Sequence, residues 1–207
     1  MSINKTCPAN ALPSRQTCQL SHGRLTYRTT GSGQSIVFLH GLLGNAKSWT
    51  YQFQDPRLTS AYRMIAWDAP GFGESDLLPA EIDAYVTALA EFIAAVADGP
   101  VHLVGHSMGG TLALAAEVAS EVRPEGLRRA TRMLQLADNR PLLPALKVPT
   151  LILTGGADRV VQPWLRADLL ALTPHEQHIE MPGLGHGPYF EAPAYYNGLI
   201  ADFLPRP

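Results

Sequence analysis

A chain of 207 residues in which 46% are hydrophobic and 16% are charged has the size and composition of one globular domain. Its net charge of -2, without a basic run, argues against binding to nucleic acid or to an anionic membrane surface. No segment approaches the roughly 20 apolar residues that a membrane-spanning helix needs. The N-terminal segment also lacks the apolar core of a signal peptide, so we expect a cytoplasmic protein.

The predicted elements begin after a loose leader over residues 1–16, and a single domain follows over residues 17–207. Cys7 and Cys18 are expected to be free thiols. Alternation of polar and apolar residues predicts an exposed strand at RLTYRTT, and apolar runs predict the buried strands SIVFLH, YRMIAWD, VHLVGH, TLILTG and HIEMPG. Between them, apolar periodicity predicts the helices AEIDAYVTALAEFIAAVA, TLALAAEVAS, WLRADLLALT and PAYYNGLIADFL. This alternation indicates a layered α/β fold with a mostly parallel sheet and a ligand site at the carboxyl ends of its strands.

The segment GHSMG, residues 105–109, follows a predicted buried strand and begins a predicted helix. A G-x-S-x-G sequence at such a junction forms a strained turn that lifts the serine hydroxyl out of the sheet. Gly105 and Gly109 leave the space that the closely passing backbones need, and the helix N-terminus favours negative charge beside Ser107. These features predict that Ser107 is a catalytic nucleophile.

A serine hydroxyl is a poor nucleophile unless a base accepts its proton. His186 lies in the glycine-rich segment GLGHGP after the last predicted strand, where it could reach the serine. His106 adjoins Ser107 in sequence, but its side chain is expected to point away from the nucleophile's pocket. The remaining histidines outside the motifs are expected to be structural or at the surface: His22, His102, His175 and His178. The sequence therefore predicts His186 as the base.

The base needs a carboxylate that orients its ring. Asp158 in TGGADRVV follows a buried strand and should lie at the same edge of the sheet. Asp138 in LQLADNRP is the alternative acid. Two glutamates near the last strand are poor candidates for this role, Glu180 and Glu191. We therefore expect the acid to be Asp158.

The reaction also needs hydrogen-bond donors for the negative oxygen that develops at the substrate carbonyl. The Met108 N–H follows the nucleophile directly and starts the helix. The segment HGLLG offers a second donor, the Leu42 N–H, and Gly41 lets this loop pass close to Ser107. His40 is expected to brace the loop rather than to carry a proton.

Five segments occur in the order that is typical of the α/β-hydrolase superfamily: FLHGLLGNAKSW, WDAPGFGESD, LVGHSMGG, VPTLILTGGADRVV and GLGHGPYF. The chain resembles this superfamily over most of residues 20–207, which implies a three-layer α/β sandwich. The order Ser107, Asp158, His186 matches the family's order of nucleophile, acid and histidine. The segment GLRRATRMLQLADNRPLLPALKVPTLIL also resembles the exit from the lid of pimeloyl-acyl-carrier-protein methyl ester esterases and related carboxylesterases. That resemblance implies a methyl or other short alkyl ester as substrate.

Asp158 follows Ser107 by only 51 positions. In the resembled families a further buried strand and a mostly helical lid lie in this interval. Here the interval predicts one amphipathic helix, a minimal lid remnant near residues 124–140, so most of the lid and one central strand are expected to be missing. Loss of a strand would move the later strands inward by about 4.8 Å. Either TLILTG fills the vacated position, or a homodimer exchanges elements, or the chain is a deletion variant.

These observations predict a serine hydrolase that cleaves carboxylic esters through an acyl-enzyme, without a metal or organic cofactor. Short-chain or methyl esters and a broad specificity are expected, since a missing lid leaves the site open. One alternative is a non-catalytic or weakly active binder of the same fold. Another is a perhydrolase or acyltransferase, because those enzymes keep the serine triad.

Overall fold

The computed structural model describes residues 12–79, 82–119, 143–161, 163–173 and 177–205. Within these ranges the chain forms seven strands: β1 (Gln16–Leu20), β2 (Gly23–Thr30), β3 (Ser35–Leu39), β4 (Arg63–Asp68), β5 (Val101–Gly105), β6 (Leu151–Gly155) and β7 (Gln177–Met181). The first five strands form one sheet in the order β1-β2-β4-β3-β5, and β6 pairs with β7 in a second sheet. Strand β3 runs parallel to β4 and β5, and β6 runs parallel to β7, whereas β2 is antiparallel to β1 and β4.

Four longer helices correspond to the four predicted from the sequence: α3 (Ile82–Val96), α4 (Met108–Ala119), α5 (Pro163–Leu172) and α7 (Pro193–Phe203). Short helices and turns connect the strands elsewhere: α1 (Thr50–Phe53), α2 (Pro56–Thr59), α6 (Pro188–Glu191) and the 3₁₀ turns Ala46–Trp49 and Leu143–Ala145. Within the described ranges, no helix has the length and apolar character needed to cross a membrane.

Side chains of the buried strands alternate between two hydrophobic cores. In β3, Val37 and Leu39 pack with residues of α3 and α4, whereas Ile36 and Phe38 pack with residues of α1, α2 and α7. All five residues of β3 are buried, which explains its unbroken apolar sequence. The sheet is thus covered by helices on both faces, and the predicted three-layer α/β-hydrolase fold is confirmed.

Strand β1 is not predicted by the sequence pattern, because QTCQL lacks a run of apolar residues. It forms an antiparallel hairpin with β2, in which Gln16 pairs with Tyr27 and Leu20 pairs with Gly23. Several other predictions concern residues outside the described ranges: the lid remnant near 124–140, Asp138, Cys7 and most of the leader. The prediction that a central strand is missing between Ser107 and Asp158 also falls largely on residues outside these ranges. Cys18 is a free thiol that is partly buried in β1.

Candidate active site

Ser107 lies in a tight turn between β5 and α4. Its φ is 52°, and it is the one residue other than glycine with a positive φ among those that the structure describes. Such a conformation costs free energy in an ordinary residue and is often found at functional sites. A Cβ atom at Gly109 would lie 2.0 Å from the Leu39 carbonyl oxygen, so the start of α4 passes directly against β3. The turn therefore has the strained geometry predicted from GHSMG, and it leaves Ser107 exposed.

Asp158 and His186 form a hydrogen-bonded pair at the ends of β6 and β7. The His186 Nδ1–H donates to Asp158 Oδ2 at 2.9 Å, and the exposed fractions of the two side chains are 26% and 7%. The other carboxylate oxygen, Oδ1, accepts hydrogen bonds from the Val160 and Val161 amides at 2.7 and 3.1 Å. Because Nδ1 donates, Nε2 of a neutral His186 ring is left free to accept a proton.

The pKa of Asp158 is lowered by its surroundings. Burial on its own raises the pKa of this carboxyl, but hydrogen bonds from His186, Val160 and Val161 lower it, and the net shift is downward. Asp158 is therefore ionised at neutral pH. A carboxylate in this position favours the tautomer of His186 that carries its proton on Nδ1.

The two loops that carry Asp158 and His186 run side by side. The Gly156 N–H donates to the Met181 carbonyl at 2.9 Å, and the Ala157 N–H donates to the Leu184 carbonyl at 2.8 Å. A Cβ atom at Gly155 would lie 2.0 Å from the Gly185 carbonyl oxygen. Backbone contacts thus bring the loop of the acid and the loop of the histidine side by side.

His106 connects the serine turn with the loop that carries His186. Its Nε2–H donates to the His186 carbonyl oxygen at 2.7 Å. Its ring lies 4.9 Å from the His186 ring and 4.7 Å from the Tyr189 ring, centroid to centroid. From the sequence this side chain is expected to point away from the nucleophile's pocket, and in the structure it lies between the HGLLG loop and the loop that carries His186. In the described structure, no hydrogen bond joins Ser107 Oγ to the His186 ring.

The HGLLG loop passes against the serine turn. A Cβ atom at Gly41 would lie 3.4 Å from Ser107 Cβ and 2.7 Å from His106 Nδ1, so no larger residue fits without a shift. The Leu42 and Met108 amides, the two candidate donors to an oxyanion, make no hydrogen bond with any residue in the described ranges. Neither amide is therefore occupied by a hydrogen bond to the described protein, which is compatible with the predicted role.

His40 is buried and joins the loop after β3 to the loop after β4. Its Nε2 accepts a hydrogen bond from the Ala69 amide at 3.0 Å, so its proton is on Nδ1, which donates to the Gly41 carbonyl at 2.8 Å. Burial lowers the pKa of His40, which keeps the ring neutral. Its contacts are those of a brace for the HGLLG loop.

Two residues near the candidate site have contacts that the sequence analysis does not predict. Asp68 accepts hydrogen bonds from the Ala46 amide at 2.7 Å and the Thr26 hydroxyl at 2.6 Å, so it joins the 3₁₀ turn that follows the HGLLG segment to β2. Glu191 accepts hydrogen bonds from the amides of Gly185 and Gly187 at 2.8 and 3.0 Å. The motif WDAPGFGES could have indicated Asp68, whereas a single sequence carries no signal for Glu191.

The surroundings of Ser107 and Asp158 include exposed apolar side chains. Leu42 and Leu43 follow Gly41 in the chain and are 63% and 100% exposed, and Val160, two residues after the acid, is 66% exposed. In the part of the chain that is described, no three His, Cys, Asp or Glu side chains are grouped in a way that could hold a metal ion. A ligand at this edge would thus contact apolar groups beside the Ser107 hydroxyl.

Known proteins are similar to this chain in sequence and in fold. A family model described as the alpha/beta hydrolase family matches residues 36–131. The chain is 30% identical over 207 aligned positions to ABHD14B of Rattus norvegicus, which is named as a proposed protein-lysine deacylase, and the alignment covers 95% of this chain and 98% of that protein. This chain belongs to the α/β-hydrolase family.

Other relatives of this α/β hydrolase match a smaller part of it. A 2-hydroxy-6-oxo-6-phenylhexa-2,4-dienoate hydrolase of Burkholderia cepacia is 33% identical over 46% of this chain and 35% of that enzyme. Among solved structures, an E-2-(acetamidomethylene)succinate hydrolase superposes with a TM-score of 0.79 at 20% identity, covering 92% of this chain and 98% of that one. A thermophilic esterase from Thermogutta terrifontis gives a TM-score of 0.73 at 23% identity, covering 91% and 97%. These superpositions bear on the fold alone.

The alignment with the rat protein also bears on the short interval between Ser107 and Asp158. It runs through nearly all of both chains within 207 positions, so that relative has no long extra segment where this hydrolase is short. The short middle is therefore shared by a relative, which argues against a deletion that is specific to this chain.

Proposed function

We propose that this protein is a serine hydrolase that cleaves carboxylic esters through an acyl-enzyme intermediate. The main support is the 2.9 Å hydrogen bond between His186 Nδ1 and Asp158 Oδ2, which leaves Nε2 as a base at the same edge as the strained Ser107 turn. Membership of a hydrolase family supports the reaction class.

In the proposed reaction, Ser107 Oγ attacks the carbonyl carbon of the ester while its proton passes to His186 Nε2. The Leu42 and Met108 amides donate hydrogen bonds to the oxyanion of the tetrahedral intermediate. The intermediate collapses, the C–O bond of the ester breaks, and His186 returns the proton to the leaving alcohol. A water molecule then attacks the acyl-serine and gives its proton to His186. The bond between the carbonyl carbon and Ser107 Oγ breaks, His186 returns the proton to Ser107 Oγ, and the carboxylic acid is released.

The proposed mechanism requires Ser107 Oγ to approach His186 Nε2 when substrate binds. Catalytic hydrogen bonds are often long or poorly aligned in ligand-free enzymes and tighten in the complex with substrate. The contact between the His106 ring and the His186 carbonyl keeps the two loops adjacent while the bond is open.

The substrates proposed are short-chain or methyl esters, accepted with broad specificity. The exposed side chains of Leu42, Leu43 and Val160 suit apolar substituents on either side of the carbonyl. They offer no charged partner that would select one particular acid or alcohol.

A second candidate is the hydrolysis of acyl-lysine amides. It is favoured by the near full-length similarity to a protein named as a proposed protein-lysine deacylase. The same Ser107, His186 and Asp158 would act, with the C–N bond of the amide breaking and His186 giving its proton to the leaving lysine amine. Turnover of acetyl-lysine peptides, compared with that of p-nitrophenyl acetate and other esters, separates the two candidates.

The experiment that tests the proposal replaces Ser107 by alanine. Ser107→Ala should lower the turnover of p-nitrophenyl acetate by about 10⁴-fold or more, because covalent catalysis is lost. A fluorophosphonate probe should label the wild-type protein once, at Ser107. Ser60→Ala, which removes an exposed hydroxyl bonded to the Pro56 carbonyl, is the matched control and should behave like wild type. An unchanged rate in Ser107→Ala, or a wild-type protein that the probe does not label, would instead favour a non-catalytic binder.

A further inference from the structure

Polar contacts hold the main chain on both sides of His186. The amide of the preceding Gly185 donates to Glu191 Oε2 at 2.8 Å, and the amide of the following Gly187 donates to Glu191 Oε1 at 3.0 Å. The carbonyl of His186 itself accepts the hydrogen bond from His106 Nε2 at 2.7 Å. Three consecutive residues are thus fixed by two side chains, one from each half of the molecule.

Glu191 reaches back to this loop from the end of α6. Its own amide donates to the Gly187 carbonyl at 3.1 Å, which closes the turn and brings the carboxylate above the loop. Because each oxygen accepts a hydrogen bond from a different amide, a carboxylate satisfies both donors. Glu191 is exposed, so the side chain adds little to the hydrophobic core.

His106 holds the loop from the opposite side. Since a carbonyl can only accept, Nε2 of His106 carries the proton and Nδ1 is unprotonated. Nδ1 is buried against Gly41 and has no hydrogen-bond partner in the described structure. Burial lowers the pKa of His106, which keeps this single-donor form at neutral pH. The same ring thus contacts the HGLLG loop, adjoins Ser107 and fixes the His186 main chain.

We propose that Glu191 and His106 are positioning residues for His186: together they hold the main chain of residues 185–187 and so fix the direction of the imidazole ring. This inference rests on the proposed function, in which His186 is the base. Neither residue touches the reacting atoms. Their effect on the reaction passes through the ring of His186, which must point Nε2 at Ser107 while Nδ1 keeps its hydrogen bond to Asp158.

The first test replaces Glu191 by glutamine, which keeps the size but offers an oxygen to only one of the two amides. Glu191→Gln should lower kcat for p-nitrophenyl acetate by about tenfold with KM nearly unchanged, because a slightly displaced base slows chemistry and not binding. Glu180→Gln is the matched control: this glutamate lies on β7, before the same loop, and makes no hydrogen bond to residues 185–187 in the described structure. It should keep the wild-type kcat.

The second test concerns His106 and the nature of its contact. His106→Leu keeps much of the bulk and removes the donor, so kcat should fall by about tenfold. His106→Gln can place an amide N–H near the position of Nε2 and should restore most of that loss. A purely structural role of the ring would make the two variants equally impaired.

Two readouts separate positioning from general stability. In a His186→Ala background, Glu191→Gln should cause no further loss of activity, because its effect acts through the missing ring. By NMR, the Nδ1–H signal of His186 should shift or broaden in Glu191→Gln and stay unchanged in Glu180→Gln. A wild-type kcat in Glu191→Gln, or an equal loss in both backgrounds, would overturn the inference. If Ser107→Ala hydrolyses esters at the wild-type rate, the proposed function is wrong, and the NMR signal still decides whether Glu191 positions His186.

Discussion

The strands that support the HGLLG loop and those that present Asp158 and His186 differ in burial. All of β3 is buried, and so is β4 except for its first residue. In β6 and β7, by contrast, only the final residues, Gly155 and Met181, are buried. Strand β5, which leads to Ser107, is half-buried and pairs directly with β3.

This difference shows that the two halves of the candidate site are held in place by different forces. The HGLLG loop and the serine turn rest on close-packed strands, where displacement would disturb many van der Waals contacts. The positions of Asp158 and His186 depend instead on a few backbone contacts between loops and on the side chains of His106 and Glu191. A modest perturbation should therefore displace the acid and the histidine before it displaces the serine turn.

The largest expected loss of activity comes from a change in the half of the candidate site that contains Asp158 and His186. Asp158→Asn should lower kcat for p-nitrophenyl acetate by about 10⁴-fold, because an amide stabilises the wrong tautomer of His186. The circular dichroism spectrum should stay that of the wild type. Asp98→Asn, at a carboxylate fully exposed beside Arg63, should leave kcat unchanged. A loss of less than tenfold in Asp158→Asn would mean that this carboxylate does not orient the base.

A smaller effect is expected when a methyl group is inserted at the tightest backbone approach of each half. Gly109→Ala presses on the buried β3 and should lower the free energy of unfolding by about 3 kcal/mol. Gly155→Ala presses on the Gly185 carbonyl, which belongs to a loop and not to a buried strand, so it should lower the free energy of unfolding by less, about 1 kcal/mol, while reducing kcat. Urea unfolding measures the free energy of unfolding of both variants, and p-nitrophenyl acetate turnover measures kcat.

The control for this pair is Gly110→Ala in α4. A Cβ atom there would lie 3.5 Å from its nearest neighbour, the Gly105 carbonyl oxygen, which is an ordinary contact. Alanine is also the better helix former by about 1 kcal/mol, so this variant should be as stable as the wild type or more stable. Equal destabilisation by Gly109→Ala and Gly155→Ala would show that the serine turn and the loops of Asp158 and His186 are equally resistant to displacement.

The smallest expected effect is the response of stability to pH. Burial lowers the pKa of His40, His102 and His106 from an ordinary value of 6.5, so the unfolded chain binds more protons than the folded one just below that value. Stability should therefore fall as the pH drops below 6.5. The pKa of Asp158 is lowered from 3.8, so its contribution should persist at pH 5 and decline only as the pH falls below 3.8.

The midpoints of urea unfolding at pH 7.5 and pH 5.0 test the predicted effect of the three histidines. The midpoint should be lower at pH 5.0, and His102→Gln should reduce the difference, since one of the three rings with a lowered pKa is removed. Equal midpoints at both pH values in the wild-type protein would show that the three rings are protonated alike in the folded and unfolded chains.

Much of the fold was predictable because its strands are either buried on both faces or followed by motifs with glycine. The runs SIVFL and MIAWD allow hardly any other structure, and GHSMG, GGAD and GLGHG mark the ends of β5, β6 and β7. The hydrogen bond between Asp158 and His186 could be expected from the order of these motifs. The roles assigned to Ser107, Asp158, His186, Leu42 and Met108 remain predictions until the variants are measured.

Other features depend on contacts that a single sequence does not reveal. Strand β1 forms through pairing with β2 rather than through apolar content. The direction of the His106 ring follows from the loop that folds over it, and the role of Glu191 from the geometry of one short turn. The division into leader and domain, the homodimer and the cytoplasmic location likewise stay predictions.

Asp68 has a consequence for how sequence variation in this protein would be interpreted. One carboxylate receives hydrogen bonds from the Thr26 hydroxyl on β2 and from the Ala46 amide beyond the HGLLG loop. A natural substitution of Thr26 would therefore remove a hydrogen bond from the carboxylate that holds the segment after that loop, although Thr26 lies outside the family motifs. A survey of variants restricted to motif positions would overlook such an allele, although it removes one of the hydrogen bonds that Asp68 accepts beside the HGLLG loop.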